Sequence, residues 1–594
     1  MYGRRLMAVV LTLAVVLGVA GGAAAQEATP SPSPSEKTTL KTTLIIGTTK
    51  DMISANPFGT AGDSEWETFV LDYDFLFNFS PQTLEATSGL ASYPPDVSAD
   101  GLTWTFDIRS DVAWSDGVPL TAHDIAFTYN VIWKNQIGAF TPYLGDPISF
   151  SAPNDTTFVW KMKTPSTSPL APPNIFIVPE HIWKEHSPSR TTLKEFKNFP
   201  MVSSGPFHLA DWQSGQYWSL DANPAYWNGA PHVDQIVFRV YDNQEALALG
   251  LKNGEVAAAE GLSPSIFNTL QDDPNITTNV APGTAWDDLA FNFKGSADPS
   301  LQDLNVRQAV HYAIDKQALV DRVYLGYATV GASVVPPVFA QWAWQPTSSE
   351  TIDHDPEKAK SLLDQAGYKD TNGDGFRETP SGDPWSLQLL GITDYGESVG
   401  EAKLIGGWMN DVGIRTSVKT VNQSKAIELW YNQNFDMYVW GWATDPDPTA
   451  VLSAFTEAQC GWWSDGCWSD PAYESLFAQQ ASATDVAKRQ ELVTQMQQML
   501  YEQSPDIVLT YPGDLQAYRN DMFTGYVKSP QPRGDIFFGF NNDSARSIRP
   551  VVASTSASSS SGIPLWIWIV VGLVIAIVGV VMFTRGKGNR HERE

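Results

Sequence analysis

The sequence predicts an α/β fold of several lobes followed by one C-terminal transmembrane helix, and three observations carry that reading. Strand and helix signals interleave along the chain. Its 594 residues exceed one ordinary domain. An uncharged apolar run at 563–583 lies between a Ser-rich stretch and a basic tail. Hydrophobic residues make up 43% and aromatic residues 12%, ample for packed cores, so disorder is not the default.

The clearest strand has Leu102, Trp104, Phe106 and Ile108 alternating with Thr103, Thr105, Asp107 and Arg109, the period of two that half-burial imposes. Phe158, Trp160 and Met162 repeat the pattern, as do Ile236, Phe238 and Val240. Helices are marked by their caps. Thr121 and Asp124 make a capping-box variant opening a helix through Trp133, and Asn305-Val-Arg-Gln308 opens another with Val306, Ala309, Val310, Ala313 and Ile314 on one stripe. Asp355-Pro356 starts a third, with Ala359, Leu362, Leu363 and Ala366 inward and Gly367 closing it; a fourth runs from about Asp485 to Gln503. No repeat of solenoid length interrupts this mixed order, which argues an α/β or α+β architecture.

The two ends read as targeting and anchoring segments. Arg4-Arg5, the apolar run that follows and the small residues before Gln26 form a secretory signal peptide over 1–25. A Pro/Ser-rich linker is expected at 26–41 and a flexible Ser-rich stalk at 546–562. Residues 563–583 are long enough to span a bilayer, and Arg585, Lys587, Arg590 and Arg593 place the tail at 584–594 in the cytoplasm. The expected localisation is the cell membrane, single-pass, with the bulk outside. The only cysteines are Cys460 and Cys467, which excludes a lipid-bearing Cys after the signal. A formal charge of −28 argues against nucleic acid or anionic lipid as a partner.

Several segments carry a family resemblance. Asp100-Gly-Leu-Thr-Trp-Thr-Phe-Asp-Ile-Arg109 precedes Val112-Ala-Trp-Ser-Asp-Gly-Val-Pro-Leu-Thr-Ala-His-Asp124. Ser204-Gly-Pro-Phe207, Asn223-Pro-Ala-Tyr-Trp227 and Gly254-Glu-Val256 follow, then Leu289-Ala-Phe-Asn292, Val306-Arg-Gln-Ala309 and Ala313-Ile-Asp-Lys316. Asp355-Pro-Glu-Lys-Ala359 through Ala366-Gly-Tyr368, and Phe435-Asp-Met437 leading to Gly441-Trp-Ala-Thr-Asp445, complete the set. In this order they resemble the family 5 extracellular solute-binding proteins, the dipeptide- and oligopeptide-binding type that serves ABC transporters. The resemblance implies a periplasmic-binding-protein-like type II fold with three lobes closing by a hinge. Lobe I would be discontinuous over 42–79, 203–288 and 500–545, lobe II would cover 80–202, and lobe III 289–499. It also implies capture of a peptide or related small solute between lobes I and III, and presentation to ABC permease subunits and their ATPase, with the membrane reached through the C-terminal helix. An oligosaccharide-binding member of the same family and a membrane-anchored glycoside hydrolase are the alternatives.

By the resemblance, Asp445 occupies the place where peptide-binding members pair an Asp with the ligand's α-amino group; the Pro-flanked Asp445-Pro-Asp447-Pro448 also reads as a turn whose carboxylates cap backbone. Trp440 and Trp442 alternate along one strand and share a face opposite Met437 and Val439, either lining the cleft or packing in a core. Cys460 and Cys467 are expected to form a disulfide in an exported chain. Asp370-Thr-Asn372-Gly-Asp374-Gly375 matches the first half of a calcium loop, but its twelfth position is Ser381, so no metal is assigned. No Gly-x-Ser-x-Gly, His-Glu-x-x-His or P-loop is present, so neither an enzyme nor a cofactor is expected.

Overall fold

Most strands of the computed structural model, which describes residues 41–59, 63–137, 140–170, 175–537 and 539–551, fall into three sheets. The described residues from Thr42 to Val551 form one compact unit. A seven-stranded sheet runs in the order Ile276–Ala281, Asp514–Arg519, Ala258–Ala259, Thr43–Thr48, Gln235–Val240, Tyr217–Ala222 and Phe207–Gln213. A six-stranded sheet runs Ala328–Val330, Asp506–Pro512, Ala285–Phe291, Met437–Ala443, Ser386–Ile392 and Arg415–Val421. The four-stranded sheet is Asp96–Val97, Thr103–Asp107, Thr157–Met162 and Pro147–Asn154.

Local sequence explains these elements. In the four-stranded sheet Trp104 pairs with Trp160 and Phe106 with Phe158, all buried, while Thr103, Thr105 and Asp107 turn outward, as period-two alternation requires. The helix Ala122–Asn135 opens with Thr121 as N-cap, and both halves of the Thr121–Asp124 capping box form. The helix Leu304–Ala313 starts earlier than its Asn305 signal: Asp303 is the cap, and its carboxylate accepts the Asn305 N–H at 2.9 Å. Asp355 and Asp485 cap Pro356–Gln365 and Val486–Gln503 in the same way.

The cores divide the molecule into two bodies. One continuous cluster, from Leu44 through Trp104 and Trp160 to Phe238, joins the seven-stranded and four-stranded sheets. The six-stranded sheet has its own clusters, two of them large. Leu289, Met437, Val439 and Leu509 pack on one face, and Trp286, Val508 and Tyr511 on the other. Two adjacent strand pairs link the bodies: Ile276–Ala281 with Asp514–Arg519, then Ala285–Phe291 with Asp506–Pro512. The chain thus crosses between the large sheets twice, at 282–284 and at Gly513, side by side. Gly283 is required there, because a Cβ would collide with the Pro512 carbonyl oxygen.

Three expectations change. Residues 285–288 and 506–512, assigned above to lobe I, lie in the six-stranded sheet, because they pair with Met437–Ala443 and with each other. Residues 546–551, assigned to the stalk, are tied into the fold. Arg546 donates to the Asn228 carbonyl and to Asn542 Oδ1, and Arg549–Pro550 pairs with Phe523–Thr524. The third correction concerns the transmembrane helix in the expected fold class, and with it the membrane as a partner and the single-pass localisation. No helix among the described residues is long and apolar enough to cross a membrane. The longest, Val486–Gln503, carries Lys488, Arg489, Glu491 and Glu502 and buries only one face. Residues 563–583, on which that expectation rested, lie outside the described residues, as do the signal peptide and residues 26–40. The architecture of the described residues is the α/β region, and membrane attachment forms no part of the conclusions below.

Candidate functional site

The strand Met437–Ala443 runs antiparallel to Ala285–Phe291, with Ala443 opposite Ala285 at the start of the crossing. Its C-terminal end therefore lies against the junction of the two bodies. The next residue, Thr444, is buried; its N–H donates to the Thr284 carbonyl at 2.9 Å, its hydroxyl to the Val334 carbonyl, and it accepts the Trp286 indole N–H at 3.0 Å. That bonding delivers Asp445 to the interface, where its carboxylate accepts the hydroxyl of Tyr143 from the other body. Further along, the Thr167 N–H donates to the Ala481 carbonyl, again from one body to the other.

The turn after Asp445 is held from behind. Arg489, from the helix Val486–Gln503, grips Asp447 through two parallel bonds of 2.6 and 2.7 Å, and also bonds Thr449 Oγ1 at 2.6 Å and Gln480 Oε1 at 3.2 Å. Asp447 is 7% exposed and Arg489 4%. Its guanidinium also lies over the Trp342 ring at 4.6 Å. Burial opposes charge on Asp447, but the Arg489 charge and hydrogen bonds outweigh it and hold the carboxyl below the usual range. Asp447 thus caps and orders the turn, whereas Asp445 faces across the junction.

Trp440 and Trp442 lie on one face of their strand, both half-buried, with Met437 and Val439 in the core behind. The Trp440 ring is nearly parallel to Tyr395 at 6.4 Å, and Trp442 lies 6.1 Å from Trp463. A side chain at Gly441 has no room, since the Tyr395 hydroxyl and Asp287 fill the space a Cβ would take. Trp442 donates its indole N–H to Asp465 at 2.7 Å. Asp465 belongs to the loop closed by the Cys460–Cys467 disulfide, which also carries the exposed Trp462.

The acids of the Asp370–Gly375 turn are already engaged. Asp370 accepts the Gly373 and Gly375 N–H groups, Asp374 pairs with Arg415 at 2.9 Å, and Glu378 accepts Thr371 and Asn372.

Sequence reasoning missed Tyr143, which lies 302 positions from its partner Asp445. It also missed the role of Arg489 and the buried pair Asp287-Asp288. That pair had a visible signal: two acids inside the apolar strand Ala-Trp-Asp-Asp-Leu-Ala-Phe. Asp287 accepts the Tyr324 hydroxyl on one face of the sheet, and burial pushes its carboxyl up to about 7.

Known proteins place this geometry. The family model of the bacterial extracellular solute-binding proteins, family 5 middle region, matches residues 85–462. The oligopeptide-binding protein AppA of Bacillus subtilis is 26% identical over 505 residues, covering 82% of this chain and 89% of AppA. The solved structure of that AppA in complex with a nonapeptide superposes with a TM-score of 0.71 at 22% identity, over 86% of this chain and 99% of that one. The mannohexaose-bound oligopeptide-binding protein of Thermotoga maritima gives 0.72 at 22% identity, over 86% and 99%. At such identities the two structures speak for the fold, while the family match covers well over half of the chain and leaves the glycoside-hydrolase alternative without support. The chain therefore belongs to the bacterial extracellular solute-binding proteins of family 5, the non-catalytic binding components of ABC importers.

Proposed function

We propose that the chain captures peptides between the body built on the six-stranded sheet and the body built on the other two, and presents them to the permease of an ABC importer. The observation that carries this reading is Asp445: a carboxylate on the strand end beside the junction, aimed at the opposite body and met there by the Tyr143 hydroxyl. A peptide α-ammonium would take the place of that hydroxyl in a charge-assisted bond, which fixes the register of the backbone. Trp440 and Trp442, extended by Tyr395 and Trp463, supply a flat apolar wall that tolerates varied side chains. The names of the relatives agree, since AppA of Bacillus subtilis is an oligopeptide-binding protein and SapA of Salmonella typhimurium a peptide transport protein. Closure follows ligand because only a ligand touching both bodies favours the shut form.

Calorimetry tests the assignment. Peptides with a free amino terminus should bind, and Asp445→Ala should weaken them about tenfold or more, roughly 1.5–3 kcal/mol for a charged hydrogen bond. N-acetylated peptides should bind weakly to both forms. Binding of oligosaccharides with none of peptides, or equal affinity for free and acetylated termini, would remove the proposed anchor.

A further inference from the structure

On the face of the six-stranded sheet that carries Trp440 and Trp442, where Asp288 stands directly opposite Trp440, lie three acids that peptide capture does not use. Asp288, Asp465 and Asp506 come from two strands and from the disulfide-closed loop, and one carboxylate oxygen of each lies within 4.8 Å of the others. Asp288 is 0% exposed and Asp465 6%. Both oxygens of Asp288 are buried without any hydrogen-bond donor and are aimed into this cluster. The charged groups acting on Asp288 are Asp465, Asp506, Asp287 and Glu401, all carboxylates. Asp465, in contrast, is oriented: it accepts the Tyr438 hydroxyl on one oxygen and the Trp442 indole N–H on the other.

We propose that Asp288, Asp465 and Asp506 form a divalent-cation site of the calcium class that ties the disulfide loop to the sheet beside the aromatic wall. A buried carboxylate with no donor on either oxygen, as Asp288 is, is strongly unfavourable unless a positive charge faces it, and two further carboxylates converging on it compound the cost. Donors that are all carboxylate oxygen, with no His or Cys, suit a hard cation. Oxygens about 2.3–2.6 Å from a calcium ion stand at most roughly 4.6–5.2 Å apart, which accommodates the observed cluster, whereas zinc and copper favour nitrogen or sulfur ligands. The Tyr438 and Trp442 donors act as the outer partners that hold a metal-binding carboxylate in orientation. Because Trp442 bonds the same carboxylate, the ion would also fix one of the rings of the wall. The turn around Asp370 and Glu378 is the second such acidic group among the described residues, but hydrogen bonds and the Arg415 ion pair account for its carboxylates, so it serves as the control.

Metal analysis of the purified protein after dialysis, with thermal melts in calcium and in chelator, tests the site. One calcium per chain is expected, with a melting temperature raised by roughly 2–5 °C in millimolar calcium. Asp288→Asn, which keeps shape and removes one charge, should abolish the retained ion and the calcium shift, yet melt in chelator no lower than the unaltered protein. Asp370→Asn should leave both unchanged. No retained ion and no calcium shift in the unaltered protein would overturn the proposal, as would loss of the ion in Asp370→Asn with retention in Asp288→Asn. If Asp288→Asn fails to fold, Asp465→Asn replaces it under the same criteria.

Discussion

Replacing Asp447 by alanine is the sharpest test of how the turn after Asp445 is built. The carboxylate supplies both acceptors of a bidentate bond to Arg489, at 2.6 and 2.7 Å, in a site where neither residue exceeds 7% exposure. Without it the guanidinium stays buried with only Thr449 and Gln480 as side-chain acceptors. An orphaned buried charge of this kind costs about 3–5 kcal/mol. Changing Arg489 to methionine in the same chain should recover most of the loss, since the uncompensated charge goes too. Urea denaturation followed by tryptophan fluorescence measures both. Asp447 is held below its ordinary range in the folded state, so its contribution is present above the unfolded carboxylate pKa and lost as pH falls through the folded value; Asp447→Ala should flatten that acid limb. A single-variant cost below about 1 kcal/mol would refute the view that this ion pair orders the turn carrying Asp445.

Asp74 gives the opposite pH signature. It is buried, accepts the Tyr226 hydroxyl at 2.7 Å and the Trp227 indole at 3.2 Å, and burial raises its carboxyl from 3.8 to about 6. The folded state therefore holds its proton more tightly, and its stabilising contribution is full below about pH 4 and lost as pH rises through 6, by up to about 3 kcal/mol. Asp74→Asn should remove that slope, read as the difference in urea midpoint between pH 4 and pH 7 for the two proteins. Gly283→Ala should destabilise by about 1–3 kcal/mol, because the crossing strands must part to admit the methyl group. Small-angle scattering should then show a smaller compaction on adding peptide than in the unaltered protein.

What the sequence made legible was local. Thr121, Asp355 and Asp485 announced their helices because a cap and its N–H partner lie within three residues. Trp440 and Trp442 could be assigned to one face because alternation along a strand needs no knowledge of its neighbours. The partners were not legible, since Tyr143 meets Asp445, and Arg489 meets Asp447, only once the bodies are assembled. The boundary between the bodies was misplaced for a related reason. The family motif begins at Leu289, but the hydrogen bonds that assign the strand to its sheet begin at Ala285. The acids of the Asp370 turn, suggestive by motif, are engaged by backbone N–H groups and by the distant Arg415.

The paired crossings at 282–284 and Gly513 have a mechanical consequence for the ligand. Two links side by side act as a single pivot, and Thr444 is bonded directly to one of them through Thr284. Asp445, one residue on, thus sits where rotation moves atoms least. Under the proposed function, a ligand moored there would be located without being asked to pull the bodies together. The leverage for shutting belongs to contacts farther out, so ligands that share an amino terminus can differ widely in how completely they close the protein while being anchored equally well.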